Sequence, residues 1–220
     1  MATATVAHQD TAVQEHHEHE HHDHEHHDNF ITKYIFTTDH KMIAKQFLVT
    51  GIFWAIIGGF LSTLFRLQLG FPEMNLEFLR PLLGGWIDET GKLDPTFYLA
   101  LVTMHGTIMV FFVLTAGLSG TFSNFLIPLQ IGARDMASGF MNLLSYWFFF
   151  LSGVIMFISL FLKTGPAGGG WVVYPPLSAL EQAIPGSGMG MTLWLISMTF
   201  FIASSLLGGI NYVTTVINLR

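Results

Sequence analysis

FYLALVTMHGTIMVFFVLTAGLSGTFSNFLIPL, residues 97–129, contains no charged side chain and a single histidine. A helix needs roughly 20 apolar residues to cross the hydrocarbon core of a bilayer. This run is longer, so as a helix it must tilt, protrude or bend, and Pro128 marks its expected end. Three further apolar runs flank it, at 47–67, 140–162 and 191–217. Four crossings bring the chain back to its starting side. The expectation is an all-α membrane protein.

Composition agrees. Of 220 residues, 51% are hydrophobic and 11% charged, too apolar and too poor in charge for an ordinary soluble domain. The net charge of −6 comes largely from acids that precede Phe30, so the remainder is nearly balanced and no nucleic-acid partner is indicated. Cysteine is absent, which excludes disulfides, thiolate metal sites and a cysteine nucleophile. The polar, acidic amino terminus does not read as a cleavable signal peptide.

Two regions follow from this patterning. Residues 1–29 alternate His with Glu and Asp and contain too little apolar surface to offset ordering entropy, so a disordered tail is expected. His8, His16, His17, His19, His21, His22, His24, His26 and His27 lie there; a solvated tail is the preferred reading over an adventitious copper, zinc or nickel chelate. Residues 30–220 form the transmembrane region. Lys33, Lys41, Lys45, Arg134 and Arg220 fall on one side of it, and Arg66, Arg80, Lys92 and Lys163 on the other. The second side also carries the longer connections, which places the amino terminus on the inner side of a bacterial cytoplasmic membrane. Small residues at helix-contact spacing, Ala116 with Gly120, Ser204 with Gly208 and Ser205 with Gly209, suit a bundle larger than four helices.

An ionisable residue within a span is costly and is by default a functional candidate. His105 sits about 10 Å into the membrane, seven residues past Tyr98 at 1.5 Å per residue. It is either a neutral imidazole bonded to a neighbouring helix or a metal ligand. Arg66 ends the first run at the same level, as a snorkelling cation or a cofactor contact. If His105 ligates a low-spin haem, a second axial donor is needed, and His40, the only other histidine outside the tail, belongs to the opposite face. At the inner end of the second run stands Asp135. With Asn124, Asn142, Ser145, Ser204, Ser205 and Asn211 it forms either a hydrated polar seam or a set of local contacts, Asp135 pairing with Arg134 or a lysine and the serines with backbone carbonyls.

From Thr37 to Arg220 the sequence resembles subunit I of the haem–copper terminal oxidases. The resemblance rests on TTDHK (37–41), GGFLSTLFRLQLG (58–70), the HG at 105–106, NFLIPLQIGARDMA (124–137), WVVYPPL (171–177) and SSLLGGINYVTTVINL (204–219). It implies that His105 is an axial ligand of the low-spin haem, expected to be haem a. It also implies that Arg66 contacts a peripheral group of that haem, and that Trp171 contacts a propionate of the high-spin haem at the oxygen site. Asp135 matches the acid at the mouth of the main proton-uptake pathway, Asn124 and Asn142 its nearby asparagines, and Ser145, Ser204, Ser205 and Asn211 polar positions along it. Three positions depart from the pattern. Phe47 stands where many members carry a tyrosine, Ala137–Phe140 (ASGF) replaces a common AFPR, and Gln68 stands where some members place a carboxylate for a structural cation, so no metal is expected there.

What the resemblance implies is the first four helices of a bundle of about a dozen, with the copper ligands, the high-spin haem ligand and the second low-spin ligand in later helices. The chain is therefore expected to be inactive alone. The implied activity is reduction of oxygen to water with electrons from cytochrome c or quinol, coupled to proton pumping, in a membrane complex with subunits of the II and III types. Two other classes compete: a membrane cytochrome that only transfers electrons, and a transporter or assembly module without haem. The stretch between Gly70 and Thr96, longer than in compact members, presents Glu73, Glu77, Asp88, Glu89 and Asp94 either to an accessory subunit or to solvent.

Overall fold

A computed structural model of the chain describes residues 34–184 and 187–220; the tail reading and its nine histidines lie outside the described residues. Four helices are long and apolar enough to cross a membrane: α1 His40–Gly70, α2 Pro95–Ile131, α3 Gly139–Ser159 and α4 Met189–Leu219. They alternate in direction, so His40, Asp135 and Arg220 share one face, called proximal below, while Arg66, Lys92 and Lys163 share the distal face.

Local chemistry explains the ends. Asp39 caps α1 by accepting from the Lys41 N–H, and Asp94 caps α2 ahead of Pro95, whose missing N–H costs nothing in a first turn. Ser138 caps α3 through the Met141 N–H. α1 begins earlier than the apolar run starting at Phe47, because His40–Gln46 forms a helical extension beyond it. The expected stop at Pro128 is corrected. α2 continues through it to Ile131 and ends at Gly132, whose φ of 73° suits a residue without Cβ. Pro128 lies so near the terminus that it removes one intrahelical bond and no more.

Inside α2, residues Ile108–Ser119 form a π-helical stretch between two α-helical ones. It packs on α1, where Gly51 and Gly117 meet. A Cβ built on Gly51 would lie 2.8 Å from the Gly117 Cα, so both positions must lack a side chain. Ala116 and Gly120, singled out by spacing, do lie on the packed face, with Gly120 beneath the Phe47 ring. The buried rings of Trp54, Phe112, Phe149 and Phe201 fill the space between the four helices, Trp54 and Phe112 with centroids 4.9 Å apart.

Between α1 and α2 the chain makes short turns at Glu77–Leu79, Arg80–Leu83 and Gly84–Trp86, then an antiparallel bridge from Ile87 to Leu93. This excursion is more than a solvated loop. Leu76, Leu83, Trp86, Ile87 and Leu93 are buried, and Trp86 stacks on Phe97 at 5.7 Å. Its acids are largely used internally. Glu77 is bidentate with Arg80, Glu73 pairs with Lys92 at 3.0 Å, and Asp88 accepts from Thr90 and from the Lys92 N–H. Hydrogen bonding from Arg80 holds the Glu77 carboxyl below its ordinary range, and bonding from Thr90 does the same for Asp88. Gln68 anchors the excursion, accepting from the Leu93 N–H and donating to the Pro72 carbonyl.

Candidate functional site

Two groups of residues gather at opposite ends of α2. In the distal half, the His105 Nδ1–H donates to the Gly58 carbonyl of α1 at 2.9 Å. A carbonyl can only accept, so this contact places a proton on Nδ1, and in the neutral ring it leaves the Nε2 lone pair directed elsewhere. Metal-binding imidazoles are held in this way, the far nitrogen bonded to a backbone oxygen. The Phe65 ring meets His105 edge-on at 5.7 Å, which brings the Arg66 neighbourhood of α1 to the level of His105. Arg66 itself is exposed, and among the described residues no hydrogen bond or ion pair holds its guanidinium.

Trp171 reaches the same region from the long connection between α3 and α4. The Gly170 N–H donates to Thr103 Oγ1 at 3.0 Å, fastening the loop to α2 two residues before His105. At Gly106 a Cβ would lie 3.8 Å from Trp171 Cδ1, and Phe111 meets the indole edge-on at 5.7 Å. His105, Trp171 and the end of α1 are thus brought to one half of the bundle. A planar aromatic macrocycle suits this set: an imidazole nitrogen free to ligate iron, aromatic walls, and a cation free to meet an acidic or carbonyl substituent. His40 lies at the proximal end, so it is no partner for His105. Among the described residues no three His, Cys, Asp or Glu side chains cluster as a metal site.

The proximal group centres on Asp135, in the connection from α2 to α3. Its Oδ1 accepts from the Met136 N–H at 2.7 Å and from His40 Nδ1 at 3.0 Å, while 48% of its side chain stays open to solvent. The pairing with Arg134 or a lysine, one of the two alternatives drawn from the sequence, is replaced by His40. Deeper in, Asn124 donates to the Gly120 carbonyl and to Tyr212 Oη, Asn211 accepts from the Ser138 N–H, and Ser204 donates across to the Ser145 carbonyl. Ser145 and Ser204 do bond backbone carbonyls, Ser145 within its own helix and Ser204 between helices.

These bonds leave a remainder. Asn124, Asn142 and Asn211 are fully buried, and Asn124 Oδ1, both amide atoms of Asn142 and Asn211 Nδ2 have no protein partner. Each such orphan costs about 1–3 kcal/mol if left dry, and several so close together call for ordered water. A cavity of about 220 Å³ lies alongside, lined by Phe47, Ser145, Ser204, Ser205, Gly208 and Tyr212 among others. Its size admits several waters. Ser205 touches this cavity but is exposed and outside the hydrogen-bonded seam. Sequence reasoning missed His40 and Tyr212 as members; the TTDHK motif pointed to the first without revealing its partner.

Comparison with known proteins bears on both groups. The sequence model of the family described as "Cytochrome C and Quinol oxidase polypeptide I" matches residues 42–220. The chain is 41% identical over 189 residues to the alternative cytochrome c oxidase subunit 1 of Bradyrhizobium diazoefficiens, covering 86% of this chain and 29% of that protein. It is 36% identical over 191 residues to the heme-copper oxidase subunit I+III of Aeropyrum pernix, covering 87% and 21%. To the cytochrome c oxidase subunit 1 of Thermostichus vulcanus it is 33% identical over 183 residues, covering 83% and 29%. The chain spans less than a third of the length of these relatives.

Proposed function

Because the chain belongs to the cytochrome c and quinol oxidase polypeptide I family, we propose that it forms the low-spin haem end and the proton entry of a terminal oxidase's catalytic subunit. The activity of the whole is reduction of oxygen to water, with electrons from cytochrome c or quinol and with protons pumped. The observation that carries this reading is the bond from His105 Nδ1–H to the Gly58 carbonyl, which leaves Nε2 for the iron.

In this reading a low-spin haem, of the a type, supplies one-electron redox chemistry when bound. The chain's own residues do the rest. His105 would hold the iron through Nε2, Arg66 would set a positive charge beside the ring, and Trp171 would offer an indole N–H to a propionate of the second, high-spin haem. The remaining haem and copper ligands would come from other helices of the subunit. At the other end Asp135, half open to solvent, collects protons and hands them to water held by Asn124, Asn142 and Asn211, with Ser145, Ser204 and Ser205 continuing the route along the cavity. The orphaned asparagine atoms support a hydrated path here. The proximal face is then the inner side of a bacterial cytoplasmic membrane, and subunits of the II and III types complete the complex.

A reduced-minus-oxidised visible spectrum of the complete complex, wild type against His105→Ala, tests the reading. Loss of the low-spin band with the high-spin haem retained is the expected result. An unchanged low-spin band would remove His105 from the site.

A further inference from the structure

One feature of the distal half is used by neither the haem end nor the proton entry. On the side of α1 that faces α3, an apolar cleft of about 610 Å³ is walled by Ile56 and Phe60 of α1, by Phe157 and Phe161 at the end of α3, and by the excursion's Leu82 and Trp86. A single cation, Lys163, stands at its rim, exposed and with no hydrogen bond or ion pair among the described residues. A second apolar cleft of about 400 Å³, bounded by Val49, Phe53, Phe150, Val154 and Phe157, continues towards the proximal side. Phe157 lines both.

We propose that this groove holds one anionic phospholipid, with its phosphate against Lys163 and an acyl chain running down between α1 and α3.

Three observations select that occupant. The lining is apolar except for Lys163 and for Thr50, whose hydroxyl is bonded to Tyr146, so the groove is amphipathic in the same sense as a lipid, charged at the membrane boundary and greasy beneath it. Length agrees as well. The helical wall from Ser159 to Phe150 runs nine residues, about 14 Å at helical rise, against roughly 15 Å for one leaflet of hydrocarbon. Charge decides the headgroup. Among the described residues nothing neutralises Lys163, whereas Arg80 of the excursion is committed to Glu77 and to the Ile87 and Asp88 carbonyls. The excursion's own residues 81–86 form one wall of the cleft.

The test uses the intact complex, delipidated in detergent and re-equilibrated with phosphatidylglycerol or phosphatidylcholine bearing a photoactivatable acyl chain. Mass spectrometry then maps the labelled residues. Phosphatidylglycerol is expected to label Phe60, Phe157 or Phe161 about fivefold more than phosphatidylcholine, the preference one lysine gives near an anionic headgroup. Lys163→Gln, a surface change that leaves the fold alone, should abolish the preference while residual acyl labelling persists. Equal labelling by the two lipids, an undiminished preference in Lys163→Gln, or no lipid adduct on these residues would each overturn the proposal.

Discussion

His40 and Asp135, far apart in the chain, meet across 3.0 Å at the proximal face. The helix that opens the bundle thereby anchors the carboxylate that closes the second crossing. One oxygen of Asp135 is committed to His40 Nδ1 and to the Met136 N–H, and the other has no bond of its own among the described residues. A carboxylate held on one side and free on the other is well placed to exchange a proton with solvent.

Asp135→Asn keeps the size and an acceptor oxygen for His40 but cannot release a proton at working pH. Haem content should be normal, oxygen consumption should fall roughly tenfold or more, and pumping should cease, because the entry group limits uptake. Parallel haem spectra, oxygen electrode traces and proton release from reconstituted vesicles check this. Normal turnover with normal pumping would reduce Asp135 to a structural partner of His40.

His105→Ala should remove the low-spin haem without preventing insertion of α2, since alanine is a good helix former and the lost bond to Gly58 is a single contact. Pyridine haemochrome analysis of the purified complex should show about one haem fewer than wild type.

Arg66→Met removes a cation whose guanidinium makes no bond among the described residues. A nearby positive charge favours the reduced iron, so its loss should lower the midpoint potential of the low-spin haem. In an effective dielectric near 20, losing a nearby unit charge should shift it by some tens of millivolts. Spectroelectrochemical titration measures it, and an unmoved potential would leave Arg66 as a snorkelling side chain.

Gly117→Val should destabilise the bundle, because its Cβ would press within 2.9 Å of the Gly51 Cα, a backbone atom that cannot turn aside. The cost should reach at least the roughly 1–3 kcal/mol usual for overpacking. Gly59→Ala is the control, for nothing lies within 4 Å of a Cβ there. Thermal unfolding midpoints of the two variants in the same detergent should separate clearly.

The four spans were legible because hydrocarbon thickness imposes a length on every crossing, and 97–129 exceeds it visibly. Their true ends were not. Hydropathy reports where the bilayer lies, whereas His40–Gln46 remains helical beyond the apolar run and Pro128 sits one turn inside a helix. Asn124, Asn142, Ser145, Ser204 and Asn211 could be gathered from sequence because a polar residue in a span is expensive and so conspicuous. Ser205 passed the same filter but faces outward, as one residue turns a helix by about 100°. The His40–Asp135 contact joins segments distant in sequence, and no local pattern announces it.

The π-helical stretch Ile108–Ser119 lies between His105 and Asn124, and so acts as a gear between the two ends of α2. A wider repeat spends an extra residue per turn without adding a turn, and this sets the rotational phase of everything beyond it. Deleting one residue here while the stretch keeps its wide repeat would turn Asn124 relative to His105 by roughly 80–90°, a little less than one residue of an ordinary helix. The imidazole would keep its carbonyl on α1 while the asparagine lost Tyr212. Such a variant should keep its low-spin spectrum and lose proton-coupled turnover, uncoupling by phase what no single side chain links.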